Sequence, residues 1–136
     1  LSALQHEPGS AYDAVLLELM STAGGPIGAT MSVFVQLLRG GQQTLAHRHT
    51  TSTIYVVVAG RGTTIIEEQR LDWEPGDIFV VPSWYWHSFV IAPGEDAVLQ
   101  SVSDAALITK LNLFREQRRD PDGNLFDSGW GSELYP

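Results

Sequence analysis

Gly41-Gln42-Gln43-Thr44-Leu45-Ala46-His47-Arg48-His49 decides how this 136-residue chain is read. Its two histidines stand at i and i+2, a spacing that on a β-strand turns both imidazoles to one face of the sheet. Two neutral imidazoles converging from one strand make half of a metal site. A third, His87, closes a second apolar, turn-punctuated segment, Gly76-Asp77-Ile78-Phe79-Val80-Val81-Pro82-Ser83-Trp84-Tyr85-Trp86-His87. Of the four histidines only His6 falls outside this arrangement, and in an irregular lead-in it reads as an ordinary surface residue.

Outward from the histidines the chain is strand-like. Residues 30–38 alternate with period two, Met31, Val33, Val35 and Leu37 on one side and Ser32, Phe34, Gln36 and Leu38 on the other, which gives a strand with one strongly apolar side. Residues 53–59 are β-branched and apolar on both faces, the pattern of a strand buried on both sides. Further strands are expected over 63–67, 71–73, 78–81, 86–91 and 97–102, separated by Gly60-Arg61-Gly62, Glu74-Pro75-Gly76-Asp77, Pro82-Ser83 and Pro93-Gly94-Glu95. Some eight short strands at even spacing predict an all-β jelly-roll barrel.

Helices are expected at both ends. Tyr12, Val15, Leu16, Leu19 and Met20 fall at i, i+3, i+4, i+7 and i+8, with Ser10 as a cap and Gly24-Gly25-Pro26 as the stop. Leu107, Leu111 and Phe114 recur at helical spacing with Ser103 as the N-cap, and Arg115, Arg118 and Arg119 sit where cations complement a helix C-terminus. Those arginines read as a solvated helix end or an interface, not an anion site. The tail to Pro136 carries Phe126, Trp130 and Tyr135 among glycines and acids and is expected to lie along a surface or a partner. The expected organisation is a lead-in with a short helix at 1–29, the barrel at 30–103, and a helix and tail at 104–136.

Composition narrows the chemistry. With no cysteine, disulfides, thiolate sites and a cysteine nucleophile are excluded, leaving histidine and carboxylate as the strong metal ligands. Eight basic against sixteen acidic residues give a net charge of -8, which disfavours nucleic acid and anionic membranes as partners. No apolar run reaches the roughly 18 to 20 residues that cross a bilayer, and no signal-peptide pattern opens the chain, so a cytoplasmic protein is expected. A first residue of Leu1 points to a piece of a longer polypeptide.

The spacing Gly41-x5-His47-x-His49 followed by Gly76-x5-Pro82-x4-His87 resembles the two signature motifs of the cupin superfamily, small β-barrels with a metal inside. The glutamate usual in that family four or five residues after the second histidine is replaced by Thr53 or Ile54. Trp84 stands where glycine is common, and Ile91 where asparagine is. The runs His47-Arg48-His49-Thr50, Trp73-Glu74-Pro75-Gly76-Asp77, Val81-Pro82-Ser83-Trp84-Tyr85-Trp86-His87, Ser103-Asp104-Ala105 and Leu113-Phe114-Arg115-Glu116 are similar to gentisate 1,2-dioxygenase and its salicylate and hydroxynaphthoate relatives, most of all to the C-terminal of their two barrels.

That resemblance implies a double-stranded β-helix and Fe(II) held by His47, His49 and His87. It further implies an aromatic hydroxycarboxylate bound through two oxygens, and O2 as co-substrate for ring cleavage. Three imidazoles equally suit Zn, Ni, Cu or Mn. The family's catalytic barrel carries an arginine after the His-x-His where this chain has Ile54-Tyr55-Val56. Arg48 alternates away from the histidines, and Arg39 and Arg61 fall at turns, so a substrate carboxylate would rest on the metal or on Gln36, Tyr55 and Gln100. Trp84, Trp86 and Phe89 either stack on an aromatic substrate or pack in the core, and an inward His87 would turn Trp86 and Ser88 outward. The alternative reading is a non-catalytic barrel, forming the oligomerising half of a two-barrel protein, or a small metal-binding barrel of other function. A homo-oligomer, or packing against an N-terminal barrel, is expected in either case.

Overall fold

A computed structural model describes residues 9–130. Its strands are β1 (Val15–Leu19), β2 (Ser32–Leu38), β3 (His47–His49), β4 (Thr53–Ala59), β5 (Gly62–Ile66), β6 (Gln69–Trp73), β7 (Ile78–Val81), β8 (His87–Ile91), β9 (Ala97–Ser103), β10 (Arg115–Arg119) and β11 (Leu125–Trp130). One helix, α1 (Ala105–Lys110), separates β9 from β10. The strands form two antiparallel sheets, β1-β2-β9-β4-β7 and β11-β10-β3-β8-β5-β6, the two walls of the expected all-β barrel. All eight strands read from the sequence are present. No helix among the described residues is long and apolar enough to cross a membrane.

The core fills one half of the barrel. Leu38, Val57, Trp73, Val81, Phe89, Ile91 and Leu99 interlock there, with Tyr55 stacked on Phe79 at 4.9 Å. Trp73 brings a polar edge into this core, and its Nε1–H donates to the buried Thr64 Oγ1 at 2.9 Å, so no donor is stranded. The β4–β5 turn requires glycine at position 60. Its φ is +82°, and a Cβ would lie 2.5 Å from the Asp96 carbonyl oxygen.

The ends of the chain differ from the helical reading. Residues 12–20 do not form the expected N-terminal helix. Ser10 and Ala14 close a turn, with Ala14 at φ +53°, and β1 then adds to the edge of β2 with Val15 opposite Leu37. Five apolar positions at helical spacing over nine residues are too few to outweigh a sheet edge whose backbone groups need partners. The C-terminal helix is likewise cut to six residues, with Asp104 rather than Ser103 at the N-cap position. Asn112 at φ +57° follows it, and the arginines expected in its last turn lie instead on β10, which pairs with β3. Phe126, read as tail, lies on β11 at the sheet edge. His6 and Tyr135 lie outside the described residues.

Inside and outside are also partly exchanged. On β2 the mixed side, Ser32, Phe34, Gln36 and Leu38, is buried, while Val33 and Val35 of the apolar side are half-buried on the outer face. On β4, expected to be buried on both sides, Ile54 and Val58 are exposed on the outside. A single strand's pattern shows that its faces differ; which face is interior depends on the neighbours.

Candidate metal centre

His47 and His49 point into the barrel from β3, and Arg48 between them points out, as period two requires. His87 opens β8 directly opposite His47 in the β3–β8 register. The alternation of β8 turns Trp86 and Ser88 away from the interior and leaves both half-buried. The three rings are buried, with one ligand nitrogen from each lying within 4.8 Å of the others.

Hydrogen bonds at the far side of each ring decide which nitrogen is offered. His87 Nδ1 lies 3.1 Å from the Tyr85 carbonyl oxygen, which only accepts, so Nδ1 carries the hydrogen and Nε2 keeps its lone pair. His47 Nδ1 lies 3.2 Å from Glu116 Oε2. His49 Nδ1 lies 2.7 Å from Thr51 Oγ1 and 3.3 Å from the Thr51 carbonyl. The Nε2 atoms of His47 and His87 are buried without a hydrogen-bond partner. Buried orphan nitrogens with their opposite edges tied to acceptors are the expected dress of metal-binding histidines. The donor set therefore fits a first-row transition metal with a taste for imidazole, and His47, His49 and His87 are the residues that would hold it.

Two carboxylates complete the surroundings, and neither was singled out from the sequence. Asp13, in the turn before β1, places Oδ1 3.2 Å from His47 Nε2. Glu116, on β10 opposite His49, binds His47 and is held in turn by Arg118 Nε at 2.6 Å and the Ser128 hydroxyl at 2.6 Å. Burial opposes a charge on His47, but these two carboxylates push it up to about 9 in the metal-free protein. Burial, together with the charge on His47, lowers His49 to about 4 and holds His87 well below its usual range. Burial also works against ionised Asp13 and Glu116, but His47 beside them keeps both below the ordinary carboxylate values.

The remaining expected pocket residues divide. Gln36 is buried and donates from Nε2 to the Asp13 carbonyl at 2.8 Å. Tyr55 lines the same cavity as His49, Asp13 and Glu116. Gln100 does not, because its neighbours Leu99 and Ser101 are the inward residues of β9 and Gln100 is exposed on the outer face. Trp84 is also outside, where the guanidinium of Arg48 covers its ring at 4.4 Å and that of Arg115 at 5.0 Å. Its φ of +67° accounts for the glycine common at this place in the family the motifs resemble. Phe89, fully buried, is core.

The cavity beside the histidines has a volume of about 40 Å³, and among the described residues no arginine or lysine lines it. A larger open groove of about 550 Å³, between Arg61, Trp73, Glu74 and Pro93, shares no lining residue with it.

Comparison with known proteins agrees with this architecture. The Cupin domain family matches residues 33–103. The 5-aminosalicylate 1,2-dioxygenase of a Comamonas species is 40% identical over 110 residues, which are 80% of this chain and 29% of that protein. Gentisate 1,2-dioxygenase 1 of Aquipseudomonas alcaligenes is 40% identical over 89 residues, 65% of this chain and 25% of its own length. This chain thus spans less than a third of either relative. The solved salicylate 1,2-dioxygenase of Pseudaminobacter salicylatoxidans superposes with a TM-score of 0.74 at 26% identity, over 84% of this chain and 33% of that one. The motif spacing, the two-walled barrel, the converging histidines and the match over more than half its length agree: the chain belongs to the cupin family.

Proposed function

We propose that this chain is a metal-binding barrel of an Fe(II)-dependent ring-cleaving dioxygenase acting on gentisate-like aromatic hydroxycarboxylates, with His47, His49 and His87 as its metal ligands. The observation that carries this reading is the convergence of three buried imidazoles, supported by relatives that are dioxygenases of aminosalicylate, gentisate and salicylate. Bound there, Fe(II) would supply the open positions at which a hydroxycarboxylate chelates and O2 is activated. The chain's own part is to fix the rings. The Tyr85 carbonyl, Thr51 and Glu116 hold each Nδ1, and Phe89 packs edge-on to His87 at 6.2 Å. Gln36 and Tyr55 are the remaining candidates to meet a substrate.

A second reading is favoured by the size of the cavity. About 40 Å³ holds an ion and a water or so, whereas pockets for aromatic ligands run to about 300 Å³ or more. On this reading the barrel is the non-catalytic half of a longer two-barrel protein. Its outer face, where Ile54, Val58, Ile78 and Val80 are exposed, packs against another barrel. Anaerobic loading with Fe(II), followed by O2 uptake with gentisate or salicylate and a watch for ring-fission absorbance, separates the two. Turnover that His87→Ala abolishes supports the first reading. Bound iron without O2 uptake supports the second.

A further inference from the structure

We propose that Asp13 is a fourth ligand of the metal centre, supplied from the turn before β1 rather than from the strands that carry the histidines. The inference rests on the reading of His47, His49 and His87 as metal ligands and extends it. The carboxylate that the cupin motif usually provides is missing, and buried Thr53 lines the cavity there instead. Asp13 brings a carboxylate into that cavity from the opposite side of the chain's order.

Its placement is that of a ligand. Oδ1 lies 3.2 Å from His47 Nε2, an ion-pair contact in which a metal ion bound between the two atoms would take the place of the proton. Two ligands about 2.1 Å from one ion, at octahedral to tetrahedral angles, stand about 3.0 to 3.4 Å apart. A separation of 3.2 Å, held in the metal-free protein by the ion pair, is one from which both atoms can reach a single ion.

The turn that carries Asp13 is pinned on every side. The Asp13 N–H donates to Ser10 Oγ at 2.9 Å, and its carbonyl accepts from Gln36 at 2.8 Å. Before it, the Tyr12 hydroxyl donates to the Arg119 carbonyl at 2.9 Å, and after it, Ala14 is buried with a left-handed backbone. Backbone anchored on both flanks does not swing away from the histidines, and such preorganisation favours binding.

Two consequences distinguish the site from three neutral nitrogens alone. A divalent ion would keep about one unit of net positive charge instead of two, and one position otherwise open to an anionic chelate would be filled from within. An Asp13 ligand therefore favours tight metal retention over substrate access.

The test uses Co(II) as the probe on the full chain. Asp13→Asn, which keeps shape and hydrogen-bonding size, is expected to weaken Co(II) binding by about 10- to 100-fold in a competition titration and to shift the visible d–d bands, with unchanged far-ultraviolet circular dichroism. Unchanged affinity and unchanged bands overturn the proposal. Should the variant not fold, a crystal structure of the Co(II)-loaded wild type decides directly, by whether Oδ1 of Asp13 lies within bonding distance of the ion. Wild-type protein that binds no Co(II) overturns the three-histidine reading along with this one, whereas a loaded site with Asp13 remote overturns this one alone.

Discussion

His47 and His87 are register partners across the β3–β8 pair, with ring centroids 4.5 Å apart. Thirty-nine residues of intervening chain, including four strands and the β7–β8 loop, serve to bring the second ring opposite the first. Trp84 helps to fix this meeting from outside. Its N–H donates to the His49 carbonyl at 2.8 Å, tying the loop before His87 to the strand of the other two histidines.

Glu116 would act on a bound metal through His47. Its carboxylate holds His47 Nδ1 and so keeps Nε2 turned inward. Glu116→Gln is expected to lower metal affinity by about 10- to 100-fold with the fold intact. Competition titration against a chromophoric chelator measures the loss, and unchanged affinity would assign Glu116 to the Arg118 ion pair alone.

The metal-free protein is expected to be most stable near pH 6.5. His47, raised to about 9 against burial by Asp13 and Glu116, contributes stability that is complete below pH 6.5 and lost as pH rises through about 9. His49, lowered to about 4 by burial and by His47, contributes stability that is complete above pH 6.5 and lost as pH falls through about 4. Urea midpoints across that range should fall on both sides, and His47→Gln should remove the alkaline fall.

How much of this was legible in the sequence follows from what each residue depends on. His47, His49 and His87 were readable because period two is a local property of strands, and the turns at Gly60 and Gly76 were readable because each needs a left-handed backbone. Asp13 and Glu116 were not, because both stand in segments whose apolar spacing fits a helix and whose actual state is set by docking on β2 and β3. One local signal did exist. Asn112 between Leu111 and Leu113 is a common helix terminator, and it frees residues 115–119 to be a strand with Glu116 inward. The burial of Gln36 and exposure of Gln100 depend on which wall faces which, and no single strand carries that information.

Phe89 supports the site from below. It is fully buried, packs against Tyr55 and lies edge-on to His87. Phe89→Ala should cost about 3 to 5 kcal/mol in urea unfolding, the range for an aromatic cavity in a packed core. A loss well under that would mean the barrel collapses onto the gap.

The exposed apolar stripe of β4 and β7 makes a separate prediction. Ile54 pairs with Val80 and Val56 with Ile78, so their side chains form one patch on the outer wall. Ile78→Lys with Val80→Lys should leave the melting temperature nearly unchanged and reduce self-association in sedimentation. Unaltered association would remove this face as the contact between barrels.

The most direct measurement is the metal content of purified protein after anaerobic incubation with Fe(II) and gel filtration, for the wild type and for His87→Ala. One tightly held ion per wild-type chain, and none on the folded variant, is the expected result. Wild-type protein that emerges without metal, or a variant that keeps a full complement, would contradict the convergence of the three histidines on one ion.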